Sequence, residues 1–204
     1  MLEAIDLAAR RGSTRLFAAL AFRVEPGCAL LVTGANGTGK TTLLRILAGL
    51  CTPFAGRVRW RGQDVAPFAL RLRENAVFCG HSAALKDELT AEENLAALIA
   101  LAGDTAEPAS VRSALAEVSL ERQARLPAKA LSQGQQRRIG LARLTVTRRP
   151  LWLLDEPATA LDTAGLALLT QLLTAHLERG GAAVVATHQR LDLPAARSQA
   201  LALQ

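Results

Sequence analysis

"TGANGTGKTT", residues 33–42, sets three glycines and four threonines around one lysine, in a chain of 204 residues with only three lysines against twenty-one arginines. Within it Gly34, Gly39, Lys40 and Thr41 fit the spacing G-x-x-x-x-G-K-[ST]. The apolar run "ALLVT" (29–33) leads in as a buried strand, and "TTLLRILAGL" (41–50) leads out with the 3.6-residue apolar period of a helix, closed by Gly49 and Pro53. Glycines let main-chain N–H groups converge without a Cβ in the way. The helix start adds its partial positive charge to the same concavity. Lys40 supplies a point charge for β- and γ-phosphates, and the Thr41 hydroxyl is an oxygen donor for Mg²⁺. The expected triphosphate-binding set is Gly34, Ala35, Asn36, Gly37, Thr38, Gly39, Lys40, Thr41 and Thr42.

Hydrolysis needs a carboxylate beside that loop. "LWLLDEP" (151–157) is an apolar strand ending in acids, so Asp155 is placed for the Mg²⁺ shell and Glu156 for polarising the attacking water. A second apolar strand, "AAVVA" (182–186), is followed by "THQ", which puts His188 beyond its carboxyl end. Ligands of open α/β sheets collect at the carboxyl ends of strands, so Gly34, Asp155 and His188 are expected to converge.

The rest of the chain supports that sheet. "LEAIDL" and "LAFRV" read as short strands near the N-terminus. In "GRVRWRG", Arg57, Arg59 and Arg61 alternate with Val58 and Trp60, the pattern of an antiparallel strand with one wet face. Three helices follow. Thr90 with Glu93 makes a capping box, Pro108 opens a helix to about Val118, and Ser132 with Gln135 makes a second capping box for a helix to about Thr147. A further helix runs from Thr163 to Arg179 and stops at Gly180-Gly181. The expected fold is α/β: a mostly parallel core sheet, an antiparallel β portion, and a helical insertion over about 82–148, within one domain.

The net charge of +6 and pI near 10.2 point to anionic partners. Cys28, Cys51 and Cys79 show no paired spacing, and Cys28 and Cys79, in apolar strand-like runs, are expected as buried, reduced thiols of a protein kept inside the cell. No run approaches the roughly 20 apolar residues that span a bilayer, and "MLEAIDL" lacks the layout of a signal peptide.

"LSQGQQRR" (131–138) resembles the signature of ATP-binding cassette (ABC) ATPases, "TALD" (159–162) their D-loop, and His188 their switch histidine. The resemblance covers essentially the whole chain and implies the P-loop NTPase fold of ABC-ATPases. It also implies a head-to-tail dimer with a second copy. Each ATP would lie between the glycine loop of one chain and Ser132, Gln133, Gly134 and Gln135 of the other, with Glu156 and His188 catalytic. Within the family, "GHSAALKDELTAEENL", "LSQGQQRRIGLARL" and "ATHQRL" are most similar to the haem-exporter ATPases of cytochrome c maturation. That branch implies a peripheral subunit on the cytoplasmic face of a bacterial inner membrane. Its implied partners are a CcmB-type transmembrane subunit, CcmC and the haem chaperone CcmE. No CxxCH is present, so haem enters by resemblance alone.

Four positions depart from the family pattern. Gln133, where the signature often has glycine, and Ala158 after "DEP", where a larger residue is common, remove no group with a stated chemical job; the other two are His81 and Arg11. His81 stands where most cassettes carry a glutamine that reaches the metal; imidazole nitrogen suits Mg²⁺ poorly, so His81 is expected to act through a bridging water or through the membrane partner. Arg11 stands near the usual adenine-stacking aromatic, and its smaller apolar plane predicts weak discrimination between ATP and GTP. The arginines at 137, 138, 143, 148 and 149 read as a solvated face or membrane-side dock rather than a nucleic-acid site. Competing readings are the ATPase of another small exporter or importer, a soluble cassette acting on nucleic acid or ribosomes, and a regulator that binds nucleotide without turnover. Nucleic acid is not an expected partner, because the interval between loop and signature holds short helices and no sustained heptads. Glu156 and His188 argue against the regulator.

Overall fold

A computed structural model describes Met1–Leu203. The chain forms two compact units. The first comprises Met1–Gly80, Arg149–Glu156 and the chain from Leu173 onward; the second comprises His81–Arg148 and Pro157–Leu172.

The first unit opens with a hairpin. β1 (Leu2–Arg11) and β2 (Thr14–Val24) pair antiparallel around the two-residue turn Gly12-Ser13, with Gly12 at φ 59°. These strands are far longer than the two short apolar runs suggest, because alanines and arginines fill the rest of the ladder without an obvious period. β3 (Ala29–Thr33) leads through the glycine loop into α1 (Lys40–Leu47), which begins one residue earlier than the sequence implies. It also ends earlier: Gly49 turns to φ 69°, and the Gly49 and Leu50 amides fold back onto the Ile46 and Arg45 carbonyls.

β4 (Ala55–Trp60) and β5 (Gln63–Val65) complete an antiparallel sheet ordered β2-β1-β4-β5. As alternation predicts, Val58 and Trp60 of β4 are buried while Arg57 is exposed. α2 (Leu70–Asn75) and β6 (Ala76–Cys79) follow.

The second unit holds α3 (Ala91–Leu101), α4 (Pro108–Glu117) and α5 (Gln133–Val146), packed around Leu95, Ile99, Leu115 and Ile139. Both expected capping boxes are present, at Thr90/Glu93 and Ser132/Gln135. Buried Asn94 ties the turn before α3: its Oδ1 accepts from the Lys86 amide, and its Nδ2 donates to the Lys86, Leu89 and Thr90 carbonyls.

β7 (Leu151–Asp155), α6 (Thr163–Glu178), β8 (Ala182–Ala186) and β9 (Ser198–Ala202) finish the chain. α6 begins in the second unit and ends in the first. The second sheet is parallel and ordered β6-β7-β8-β3-β9. β7 and β8 are buried at every residue, as unalternating apolar strands should be. α1 packs Leu43, Leu44, Ile46 and Leu47 into one core with residues from both sheets of this unit.

Two expectations fail here. Cys28 and Cys79 are half-buried rather than buried. The arginine run is not a solvated face. Arg137 is buried, Arg138 bonds Asp162 at 2.7 Å, Arg143 and Arg149 are half-buried, and only Arg148 of the five is exposed. Arginine stems pack as apolar surface while the fork seeks carbonyls and carboxylates, so charge alone does not mark a wet face.

His176, near the end of α6, stacks on Trp152 of β7 with centroids 3.9 Å apart and planes 11° apart, and its Nε2 lies 3.1 Å from the Ala182 carbonyl. A Cβ on Gly181 would stand 2.3 Å from that ring, so the glycine makes room for it. Burial lowers the His176 pKa from 6.5 to about 4, with the nearby Arg179 adding to the effect and the Ala182 and Pro150 carbonyls opposing it. The unfolded chain therefore takes up a proton near pH 6.5 that the folded chain refuses until about pH 4. Stability should be level above pH 6.5 and fall between those values by about 1.4 kcal/mol per pH unit from this group. Urea unfolding of the parent and of His176→Phe at pH 7.5, 6.0 and 5.0 checks this. The variant should lack that share of the slope, and an unchanged slope would contradict it.

Candidate functional site

The glycine loop is built by crowding as much as by flexibility. Gly34 lies at φ 144°, and a Cβ there would come within 2.5 Å of the Leu203 carbonyl oxygen and 2.9 Å of Thr38 Oγ1. Gly39 lies at φ 102°, where a Cβ would press on Leu16 and Phe17 of β2 at 3.0 and 3.1 Å. Gly37, at φ 90°, faces open space. Inside the loop, the Thr38 hydroxyl donates to the Ala35 carbonyl at 3.0 Å.

Lys40 is the buried first residue of α1. Its Nζ donates to the Gly34 carbonyl at 2.7 Å and the Ala35 carbonyl at 3.2 Å, and lies 3.0 Å from His188 Nε2. One residue on, Thr41 Oγ1 donates to Asp155 Oδ2 at 2.9 Å. Strand register makes that meeting possible: β3 and β7 flank β8, with Val32 and Asp155 both aligned to Ala186.

Glu156 takes the left-handed conformation at φ 50°, while its amide donates to the Ala186 carbonyl at 2.9 Å. A non-glycine residue held there is strained, and such strain gathers at sites where direction matters. The turn brings Glu156 Oε1 to 3.3 Å from His188 Nε2, and Asn36 Oδ1 reaches the same nitrogen at 3.1 Å. A neutral imidazole nitrogen either accepts from Lys40 or donates to Asn36 and Glu156, not both. His188 is thus a two-way junction between the loop's cation and the strand-end carboxylate.

Within the first unit, Gly34, Ala35, Asn36, Lys40, Thr41, Asp155, Glu156 and His188 gather at one strand edge, with Gly37, Thr38, Gly39 and half-buried Thr42 in the same loop and helix start. Arg11 does not join them through any side-chain bond among the described residues; it is exposed at the β1–β2 turn. His81, Ser132, Gln133, Gly134 and Gln135 belong to the second unit. There Ser132 Oγ accepts from the Gln135 amide at 3.2 Å, Gln135 Oε1 accepts from the Ser132 amide at 2.9 Å, and Ser132 and Gln133 are exposed. Gly134 is required by proximity, since a Cβ would lie 2.8 Å from the Ala160 carbonyl oxygen. The exposed His81 presents its carbonyl to Arg137 at 2.8 Å.

Sequence reading missed Thr187. This buried residue closes a turn through its hydroxyl, which accepts from the Gln189 amide at 3.0 Å and fixes the backbone carrying His188. A threonine directly before the histidine was the available signal.

For a divalent ion the chemistry is oxygen-only: the Thr41 hydroxyl and the buried Asp155 carboxylate. Among the described residues no cluster of three or more His, Cys, Asp or Glu could cage a metal. Two protein oxygens beside a glycine loop suit Mg²⁺, which takes few protein ligands and completes its shell with phosphate and water.

The family model described as ABC transporter matches residues 17–159. The cytochrome c biogenesis ATP-binding export protein CcmA of Pseudomonas aeruginosa is 50% identical over 193 residues, covering 95% of each chain. The protein of the same name from Dechloromonas aromatica (strain RCB) is 45% identical over 203 residues, covering 100% of both. Among solved structures, the dimeric ATP-binding cassette MJ0796, in a post-hydrolysis state bound to ADP and Pi, gives a TM-score of 0.81 at 26% identity over 93% of this chain and 88% of that one. An ABC transporter ATP-binding protein from Pyrococcus furiosus gives 0.83 at 22% identity over 98% and 96%, a likeness of fold.

The glycines give a graded test. Gly37→Ala meets only the backbone penalty of a left-handed alanine, about 1–2 kcal/mol. Gly39→Ala adds the clash with Leu16 and Phe17 and should cost more, while also displacing the loop amides beside it. Urea midpoints and retention of a fluorescent ATP analogue measure both effects. Equal losses at the two positions would contradict the crowding described.

Proposed function

This chain belongs to the ABC transporter family as an ATP-hydrolysing subunit, and from that premise we propose that it powers a membrane complex of c-type cytochrome biogenesis that exports haem or releases a haem-loaded chaperone. Relatives at 45–50% identity over nearly the whole chain, each called a cytochrome c biogenesis ATP-binding export protein, support the reading. Among the described residues no helix is long and apolar enough to cross a membrane. The membrane part is therefore assigned to a CcmB-type partner, with CcmC and CcmE in the same system and this chain seated peripherally on the cytoplasmic side.

The observation that carries the chemistry is the convergence of Lys40, Asp155, Glu156 and His188 at one sheet edge. In the proposed cycle, ATP places its β- and γ-phosphates on the loop amides of residues 34–42, and Lys40 turns from the Gly34 and Ala35 carbonyls to phosphate oxygen. Mg²⁺ held by Thr41 and Asp155 would neutralise charge on the phosphates. Glu156 accepts a hydrogen bond from water, whose oxygen attacks γ-phosphorus in line; the bond from γ-phosphorus to the β–γ bridging oxygen breaks, and ADP leaves. Once Lys40 is engaged, His188 Nε2 is freed to carry a proton toward the γ-phosphate and Glu156. A second copy supplies the other wall of the site through Ser132, Gln133, Gly134 and Gln135. Their capped helix start offers amides and dipole to the same phosphate. His81 is placed in a supporting role toward the membrane partner, and Arg11 beside the base.

Glu156→Gln keeps the shape and the loop but loses the carboxylate. Its kcat should fall at least 100-fold while ATP stays bound. Cells carrying only that variant should stop accumulating c-type cytochromes. Unchanged turnover would overturn the catalytic assignment; lost turnover with normal cytochrome levels would overturn the biogenesis role alone.

A further inference from the structure

Arg137 lies on α5 two residues after Gln135, and it is buried, with 8% of its surface exposed. A guanidinium is costly to bury unless its donors are used. Its Nη1 donates to the His81 carbonyl at 2.8 Å and its Nε to the Pro157 carbonyl at 3.3 Å. Those two carbonyls share a topological property. The chain enters the second unit at His81, directly after Gly80, and again at Pro157, directly after Glu156. One planar cation on the signature helix thus holds both points of entry.

We propose that Arg137 is a positioning residue for ATP hydrolysis, fixing the direction of Glu156 through the carbonyl of the residue that follows it. Glu156 sits in a strained conformation at φ 50°, so something must hold it on either side. On its N-terminal side the Ala186 carbonyl receives its amide at 2.9 Å. On its C-terminal side Pro157 has a fixed φ, and its carbonyl is held by Arg137. Few torsions remain between the two anchors. Lysine cannot replace it in full, since a point ammonium does not reproduce the planar fork that meets two carbonyls at once.

This inference rests on Glu156 as the water-polarising residue, and Glu156→Gln measured alongside keeps the two claims apart. If that variant keeps full turnover, the Glu156 reading fails and this inference falls with it. The test compares the parent with Arg137→Met, Arg137→Gln and Arg137→Lys in steady-state ATP hydrolysis, binding of a fluorescent ATP analogue, and thermal unfolding. Met and Gln should lower kcat about tenfold or more with KM and analogue Kd within about twofold, and Lys should recover part of the loss. Parental kcat in folded Arg137→Met would overturn the proposal, as would losses that only track the folded fraction. If Arg137→Met does not fold, Arg137→Lys decides: a loss confined to kcat supports the role, and a parental kcat overturns it.

Discussion

The ammonium of Lys40 is buried at the start of a helix, the end of the helix dipole least favourable to a cation. It is stable there because the Gly34 and Ala35 carbonyls accept two of its hydrogens, and His188 Nε2 at 3.0 Å accepts the third in the tautomer that leaves that nitrogen bare. Much of the site follows from meeting that requirement. Carbonyls can turn inward toward Nζ while amides turn outward only if the loop visits positive φ, which Gly34, Gly37 and Gly39 do. The imidazole reaches Nζ only if β8 ends level with β3, and their register, Val32 against Ala186, achieves this. The contacts that steady Lys40 are also ones a phosphate can displace, so stability of the free loop and capacity for a triphosphate come from the same atoms.

The strand edge then converts a binding site into a reactive one. Thr41 and Asp155 present adjacent hard oxygens, and the chain turns sharply at Glu156 so that its carboxylate shares His188 Nε2 with Asn36 and Lys40. That nitrogen cannot serve all three partners in one protonation state. Moving Lys40 changes which of them it serves. The second unit keeps its own polar device, a helix start closed by reciprocal Ser132–Gln135 bonds and left exposed at Ser132 and Gln133.

Much of this was legible in the residues, and the reasons differ by element. The glycine loop could be read because positive φ, with crowding at Gly34 and Gly39, disfavours side chains at fixed spacings. β7 and β8 could be read because strands buried on both faces are apolar throughout, and α3 and α5 because Thr90/Glu93 and Ser132/Gln135 write their own starts. The long β1–β2 hairpin was half hidden: alanine and arginine carry little period, although the Gly12-Ser13 pair marked its turn. β9 was hidden altogether, since "SQALA" at a sheet edge needs no apolar alternation when β3 supplies its hydrogen bonds. Thr187 was missed, and Arg137 was read as part of a solvated face or membrane-side dock, for a common reason. The Gln189 amide and the His81 and Pro157 carbonyls that they meet are main-chain atoms, which no side-chain pattern records.

The central claim is that Lys40 trades carbonyl and imidazole partners for phosphate oxygens, so its charge should count for the triphosphate tail. Titration calorimetry of the full chain and of Lys40→Met with ATP and magnesium tests it directly. An affinity at least 100-fold weaker for the variant, measured where both chains are fully folded, is the expected result. Equal affinity for parent and variant would contradict the account.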